Sequence, residues 1–271
     1  MTPGKTPTPR VYGFDPAWCG ERDRMALAAG VLDPITIRHL EAVGVTEGRR
    51  CLEVGAGAGS VAHWMCRTVG PGGSVVATDI DTRFLDALVE SGETCLEVRR
   101  HDIAANPPPE ASFDVVHTRL VLQHLPGRDE AVRRMAAALV PGGWLLAEEF
   151  DFISSTAATP LGARTFERVE RGIHRLLSAT GFEPGVGRRL PGLLEAAGLV
   201  DVEADGHLFV VPGGSPLAVW YRQSIEALRA RIVGAGFVTE REVERAVALL
   251  DDPGFSLMTP VLVSARGRRP E

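Results

Sequence analysis

Lysine is all but missing from this chain. Lys5 is the only one in 271 residues, although Lys and Arg together number 29. Without an internal lysine there is no candidate for a Schiff base, and no G-x-x-x-x-G-K-[ST] sequence for a phosphate-binding P-loop. Clustered positive charge is missing too. The formal net charge is −6, and the nearest basic groupings are Arg188-Arg189 and Arg266, Arg268 and Arg269. That balance argues against nucleic acid as a partner. Cysteine is scarce. Cys19, Cys51, Cys66 and Cys95 form no C-x-x-C and no zinc spacing, so no metal is expected. Cys51 and Cys95 lie in apolar runs that suit buried, reduced thiols. No apolar run approaches about 18 residues, so no membrane span is expected. Residues 1–10 are rich in Pro and Thr and lack the apolar stretch of a secretory leader. A cytoplasmic protein fits these absences.

What is present is ordinary globular composition: 45% hydrophobic and 24% charged residues. The length suits one large α/β domain with additions, or two small domains. Residues 1–20 read as an arm carrying Tyr12, Phe14 and Trp18. Two helices follow, Glu21 to Ala29 and Pro34 to Val43, with Asp33-Pro34 as the start signal of the second. From Arg50 to Glu148 five short apolar runs alternate with helical patterns and Gly-rich turns. That rhythm implies a parallel sheet covered on both faces. After Phe150 the rhythm changes. Helices are expected over Phe166 to Ala179, Leu190 to Ala197, Leu217 to Ile232 and Thr239 to Leu250. Val200 to Val211 reads as a strand broken at Gly206, and Ser256 to Ala265 as a last strand.

The chemistry concentrates in Leu52-Glu-Val-Gly-Ala-Gly-Ala-Gly-Ser60. A strand emptying into a Gly-rich loop and a helix N-terminus makes a ligand seat, because backbone amides can approach the ligand closely. A nicotinamide fingerprint needs G-x-G-x-x-G, but the residue three after Gly57 is Ser60, and Glu53 precedes the loop. A pyrophosphate would be repelled by that carboxylate.

Glu53-Val-Gly-Ala-Gly-Ala-Gly59 resembles motif I of the class I S-adenosylmethionine-dependent methyltransferases. Val75-Val-Ala-Thr-Asp79, His101-Asp102-Ile103, Phe113-Asp-Val-Val-His117 and Leu139-Val-Pro-Gly-Gly143 follow in that family's order. The resemblance is tight over residues 45 to 150. It is closest to the bacterial small-molecule branch of natural-product and quinone type, which implies a place in secondary metabolism. It implies a Rossmann-like, doubly wound, seven-stranded α/β sheet with a helical cap inserted around the last two strands. The expected organisation is an arm with lid helices over 1–44, a cofactor-binding core over 45–154, and cap insertions with the final strands over 155–271.

The same resemblance implies S-adenosyl-L-methionine as cofactor and S-adenosyl-L-homocysteine as product. Gly55, Ala56, Gly57 and Gly59 would form the backbone seat. Asp79 would accept both ribose hydroxyls, and charge-assisted bonds of that kind are worth ~1.5–3 kcal/mol each. Ile80 would pack on the adenine, Asp102 would accept from its amino group, and Ile103 would use its backbone. Glu53 would reach the amino group at the methionine end, His117 would line that end, and Arg24 in Glu21-Arg-Asp-Arg24 would take its carboxylate. His124 in Leu122-Gln-His-Leu-Pro126 and Glu149 after strand five are the base candidates. Each residue also has a plainer reading: His124 can merely brace a turn, Arg24 can be a salt-bridged arginine, and Asp102 a helix cap. Trp220-Tyr221-Arg222 could stack on a planar acceptor or simply fill a core, and His174 and His207 are expected in the cap. The expected activity is methyl transfer to O, N or C of a small metabolite. The alternative is a protein of this fold that binds the cofactor without transferring methyl. The oligomeric state, a homodimer included, stays open.

Overall fold

The computed structural model describes residues 20–90, 92–154, 156–157 and 162–271. The aromatic arm with Tyr12, Phe14 and Trp18 lies outside them. Helix α1 (Glu21–Ala42) leads into β1 (Arg50–Val54), α2 (Ser60–Val69) and β2 (Ser74–Asp79). A 3-10 turn and α3 (Asp86–Glu90) precede β3 (Leu96–Arg100). Then come β4 (Phe113–Arg119), a 3-10 turn over Leu122–His124, α4 (Arg128–Ala138) and β5 (Leu139–Asp151). The second half holds β6 (Thr156–Ala157), α5 (Ala163–Ser178), α6 (Val186–Ala196), β7 (Val200–His207), β8 (Val210–Pro212), α7 (Pro216–Gly234), α8 (Glu240–Asp251), β9 (Ser256–Met258) and β10 (Val261–Arg268).

Seven strands form the main sheet in the order β3-β2-β1-β4-β5-β10-β7. The first five run parallel, and β10 lies antiparallel between β5 and β7. Alternate residues of the central strands feed different cores, as a two-sided sheet requires. Leu52, Val116 and Leu145 pack with Met135 of α4 and Leu190 of α6. Cys51, Val115 and Leu146 pack with Leu40 of α1 and Met65 of α2. A third core belongs to α5, α7 and α8, where Leu228, Val169 and Val243 meet Phe150 at the end of β5. This third layer sits at the carboxyl edge of the parallel strands.

Three readings of the sequence are corrected. The two expected N-terminal helices are one, and Pro34 lies inside it. Asp33 does not cap a helix; its Oδ1 accepts from Arg119 Nη2 at 2.7 Å. Burial of the flanking turns (Leu32, Ile35, Thr36 and His39) outweighs the hydrogen bond that proline cannot make. The expected strands Val200–Val211 and Ser256–Ala265 each split in two. Their pieces β8 and β9 join β6 in a separate three-stranded antiparallel sheet. The break after β7 falls beyond His207 and not at Gly206, which stays paired with Val263. Helix α6 also belongs to the core of the main sheet, where Leu190 and Leu194 pack. At the start of α8, Thr239 and Glu242 form a reciprocal capping box.

Candidate functional site

A cavity of about 320 Å³ opens at the carboxyl ends of β1, β2 and β4, between α1 and the cap. Its floor is the glycine loop. The amides of Gly55 and Ala56 both donate to the carbonyl of Thr78, at 2.8 and 3.0 Å, which ties the loop to the end of β2. Gly55, Gly57 and Gly59 have φ of 77°, 55° and 82°, a region L side chains avoid. A Cβ on Gly55 would lie 2.1 Å from Val121 Cγ2, and one on Gly59 2.7 Å from Leu88 Cδ2. The loop therefore needs glycine at these two positions for space as well as for conformation.

Asp79 closes β2 beside this loop. Its Oδ2 accepts from Gly57 N at 2.9 Å and its Oδ1 from Asp81 N at 3.0 Å. Burial raises its pKa, while those amides pull it down. A carboxylate has about four acceptor sites, so Asp79 keeps capacity for two further donors. Glu53 also lines the cavity and is 4% exposed, yet its Oε2 has no hydrogen-bond partner. An orphaned, buried carboxylate oxygen at a cavity wall suits a cationic ligand group. Ile80, 40% exposed for all its apolar surface, lies on the same wall. Phe84, which sequence reasoning did not single out, lines the cavity too. Asp102 uses Oδ1 on the amide of Ala104, and the Ile103 carbonyl accepts from Arg134 Nη1 at 2.9 Å. Arg24 faces the cavity while holding Glu21 with two bonds of 2.7 and 2.6 Å. This donor set fits a ligand with a diol, a flat ring and an ammonium group, which are the parts of S-adenosylmethionine.

Two residues assigned by resemblance lie behind the wall instead of on it. His117 is fully buried, between Glu53 and Glu148, and does not line the cavity. Glu149 is fully buried as well. Its Oε1 accepts from the amides of Val121 and Leu122 at 2.8 and 2.6 Å, and Oε2 from Gln123 at 3.3 Å. Burial pushes its pKa up to about 8 against the pull of those three amides. A carboxylate turned to brace the loop that carries His124 has no path to an acceptor. His124 itself does line the cavity. Burial, with help from Arg24, lowers its pKa to about 4, so the imidazole is neutral at pH 7.

The far half of the cavity is built by the cap and the end of β5. Phe150, Phe152, Phe166, Phe182 and Trp220 line it, with His174 among them. The ring of His174 stacks on Phe182 at 5.7 Å and meets Phe152 edge-on at 5.0 Å. Of the aromatic triplet in α7, Trp220 and Tyr221 reach the cavity, whereas Arg222 faces Asp251 at 3.6 Å. His207 is not in the cap: it sits on β7, 3.2 Å from His39. The paired Phe150-Asp-Phe152 at the strand end was the available signal for this half. Away from the cavity, Cys66, Glu93 and Cys95 bring ligand atoms within 4.8 Å of one another, a grouping hidden from sequence spacing.

A family described as a methyltransferase domain matches residues 52–145. A ubiquinone/menaquinone biosynthesis C-methyltransferase, UbiE, of Pseudomonas paraeruginosa is 35% identical over 122 residues, 43% of this chain and 48% of its own length. The UbiE of Pseudomonas entomophila is 37% identical over 116 residues, 41% and 45% of the two chains. The chain thus spans about half the length of the curated relatives it matches. A phosphoethanolamine N-methyltransferase 2 of Haemonchus contortus, solved with phosphomonomethylethanolamine and S-adenosylhomocysteine, superposes with a TM-score of 0.61 at 15% identity, covering 96% of this chain and 61% of its own. The [4+2]-cyclase SpnF shares the fold at a TM-score of 0.54 and 18% identity, over 89% and 82% of the chains. Residues 52–145 match a methyltransferase domain, and the sheet that carries them has the class I S-adenosylmethionine-dependent methyltransferase fold.

Proposed function

We propose that the protein transfers a methyl group from S-adenosylmethionine to an O, N or C nucleophile of a small molecule, releasing S-adenosylhomocysteine. The observation that carries this reading is a cavity with two unlike ends: a polar seat of glycine amides and carboxylates, and an apolar chamber under the cap. The likeness to a methyltransferase domain supports it.

Bound S-adenosylmethionine supplies a methyl group already activated by its sulfonium. The residues' task is then to hold two molecules in line, which can contribute ~7–11 kcal/mol. The loop amides, Asp79, Ile80, Asp102 and Ile103 would hold the nucleoside end. Glu53, with its free oxygen, would take the ammonium group, and Arg24 with Glu21 would frame the carboxylate. His124, which lines the cavity, would take the acceptor's proton. Its lowered pKa keeps it unprotonated at pH 7, and general base assistance adds ~10²–10⁴-fold. Glu149 and His117 serve as supports, one for the His124 loop and one for Glu53.

No helix among the described residues is long and apolar enough to cross a membrane, which is compatible with a cytoplasmic enzyme. The named relatives belong to quinone biosynthesis, a different setting from the secondary metabolism that the resemblance implies. Calorimetric titration with S-adenosylmethionine, S-adenosylhomocysteine and NADH tests the reading. Micromolar binding of the two sulfur ligands without NADH is expected; failure of both to bind removes it.

A further inference from the structure

The chamber under the cap carries information about its occupant. Its walls are Phe150, Phe152, Phe166, Phe182, Trp220 and Tyr221, all outside the matched residues 52–145. Acceptor recognition is therefore this chain's own and is not inherited with the methyltransferase domain. The rings pack as a continuous surface: Phe150 lies 5.5 Å from Phe152 and 6.2 Å from Trp220, and Phe152 lies 5.7 Å from Phe182.

Two polar atoms interrupt that surface. The indole Nε1 of Trp220 and the hydroxyl of Tyr221 are buried and have no hydrogen-bond partner. Leaving a buried donor unmatched costs about 1–3 kcal/mol, and buried Trp and Tyr usually find a partner. Here two orphans sit on consecutive residues of α7, both against the cavity. Each can donate, and indole can do nothing else. The missing partner is therefore a hydrogen-bond acceptor.

Charge narrows the class further. Among the described residues the arginines lining the cavity are Arg24 and Arg119, and both are held by carboxylates, Glu21 and Asp33. Neither belongs to the aromatic half, where Glu170 adds a carboxylate, so among the described residues an acceptor with a phosphate or carboxylate finds no arginine there.

Resting on the methyltransferase reading, we infer that the acceptor is a planar ring compound that carries an oxygen and no anionic group. The ring lies against the phenylalanine wall, and the oxygen accepts from Tyr221 and Trp220. These two residues position the acceptor and set its specificity.

The experiment uses the full chain saturated with S-adenosylhomocysteine and calorimetric titration of three probes: 2-naphthol, 2-naphthoate and phenyltrimethylammonium. We expect 2-naphthol to bind at least about tenfold more tightly than either ion. Tyr221→Phe should weaken 2-naphthol about tenfold and leave S-adenosylhomocysteine affinity unchanged. Its melting temperature should hold or rise, because an unmatched buried hydroxyl is removed; a structural hydroxyl would lower it. Tighter binding of phenyltrimethylammonium would replace the inference with a cation cage. Unchanged 2-naphthol affinity in Tyr221→Phe would overturn the role of that residue. Absence of S-adenosylhomocysteine binding would instead strike the cofactor reading, and 2-naphthol titrated into the unloaded protein would still report on the chamber.

Discussion

The Nε2 of His117 lies 3.4 Å from Glu148 Oε2, and its Nδ1 lies 3.6 Å from Glu53 Oε1. One imidazole thus joins β4 to β1 and β5 directly beneath the candidate ligand seat. Glu148 is further bound by the hydroxyls of Thr36 and Ser264. Burial opposes charge on His117, but the two carboxylates prevail and raise its pKa. Burial likewise opposes charge on Glu148, yet His117, Arg119 and Ser264 hold it down to about 2.

This arrangement makes stability depend on pH from both sides. The contribution of His117 is complete below its unfolded pKa of 6.5 and fades as pH rises through the raised folded value. That of Glu148 is complete above 4.5 and fades as pH falls toward about 2. Stability should therefore peak between those limits as far as these two groups decide it. His117→Gln should lower unfolding free energy by about 3 kcal/mol at pH 6, since it strands two buried carboxylates. The deficit should shrink as pH rises through the raised pKa of the wild-type imidazole. Denaturant melts across a pH series from 6 upward measure this; a deficit that never changes would mean that His117 does not titrate with folding in that range.

Asp79→Ala should weaken S-adenosylhomocysteine about tenfold or more, because it removes the charged acceptor at the end of β2. Calorimetry gives the affinity and circular dichroism the integrity of the fold. Unaltered affinity would sink the ribose assignment.

Glu149 separates bracing from catalysis. Glu149→Gln keeps an acceptor oxygen for the amides of Val121 and Leu122 and should retain kcat within about tenfold, less than a lost base would cost. Glu149→Ala orphans buried amides and should cost about 2 kcal/mol or more in stability. A hundredfold loss in Glu149→Gln at full stability would restore the carboxylate as a base.

His124→Gln should lower kcat about 10²-fold and leave cofactor affinity intact. With a pKa near 4, the wild-type rate should be flat through neutral pH and fall only on the acid side. A limb near 6.5 would show that His124 is more exposed to water than this structure has it.

The first five strands could be read from sequence because strands buried on both faces are short apolar runs, here separated by Gly-rich turns. The ligand seat was legible for a related reason: only a glycine can occupy position 55 beside Val121. The cap was less transparent. Strands of two or three residues, such as β6, β8 and β9, are too short to show a two-residue period. Side-chain direction was the other gap. His117, Glu148 and Glu149 at strand ends read as exposed chemistry, but all three turn into the protein, where the partners come from residues up to 116 positions away. The aromatic chamber needs residues from β5, α5 and α7 together, so no single stretch could announce it.

Pro34 divides α1 into two lengths with different moorings. Beyond it, Thr36 is tied to Glu148, and just before it Asp33 is tied to Arg119. The first turn, with Glu21 and Arg24, lines the cavity. Proline has no amide to give to the carbonyl of Gly30, so one rung of the helix is absent just where the fastened length begins. The rung missing at Pro34 thus separates the length that carries the polar ties from the length that lines the cavity. Amide exchange over residues 21–30 should outpace that over 35–42 in the unliganded protein, and the difference should close when S-adenosylhomocysteine fills the seat.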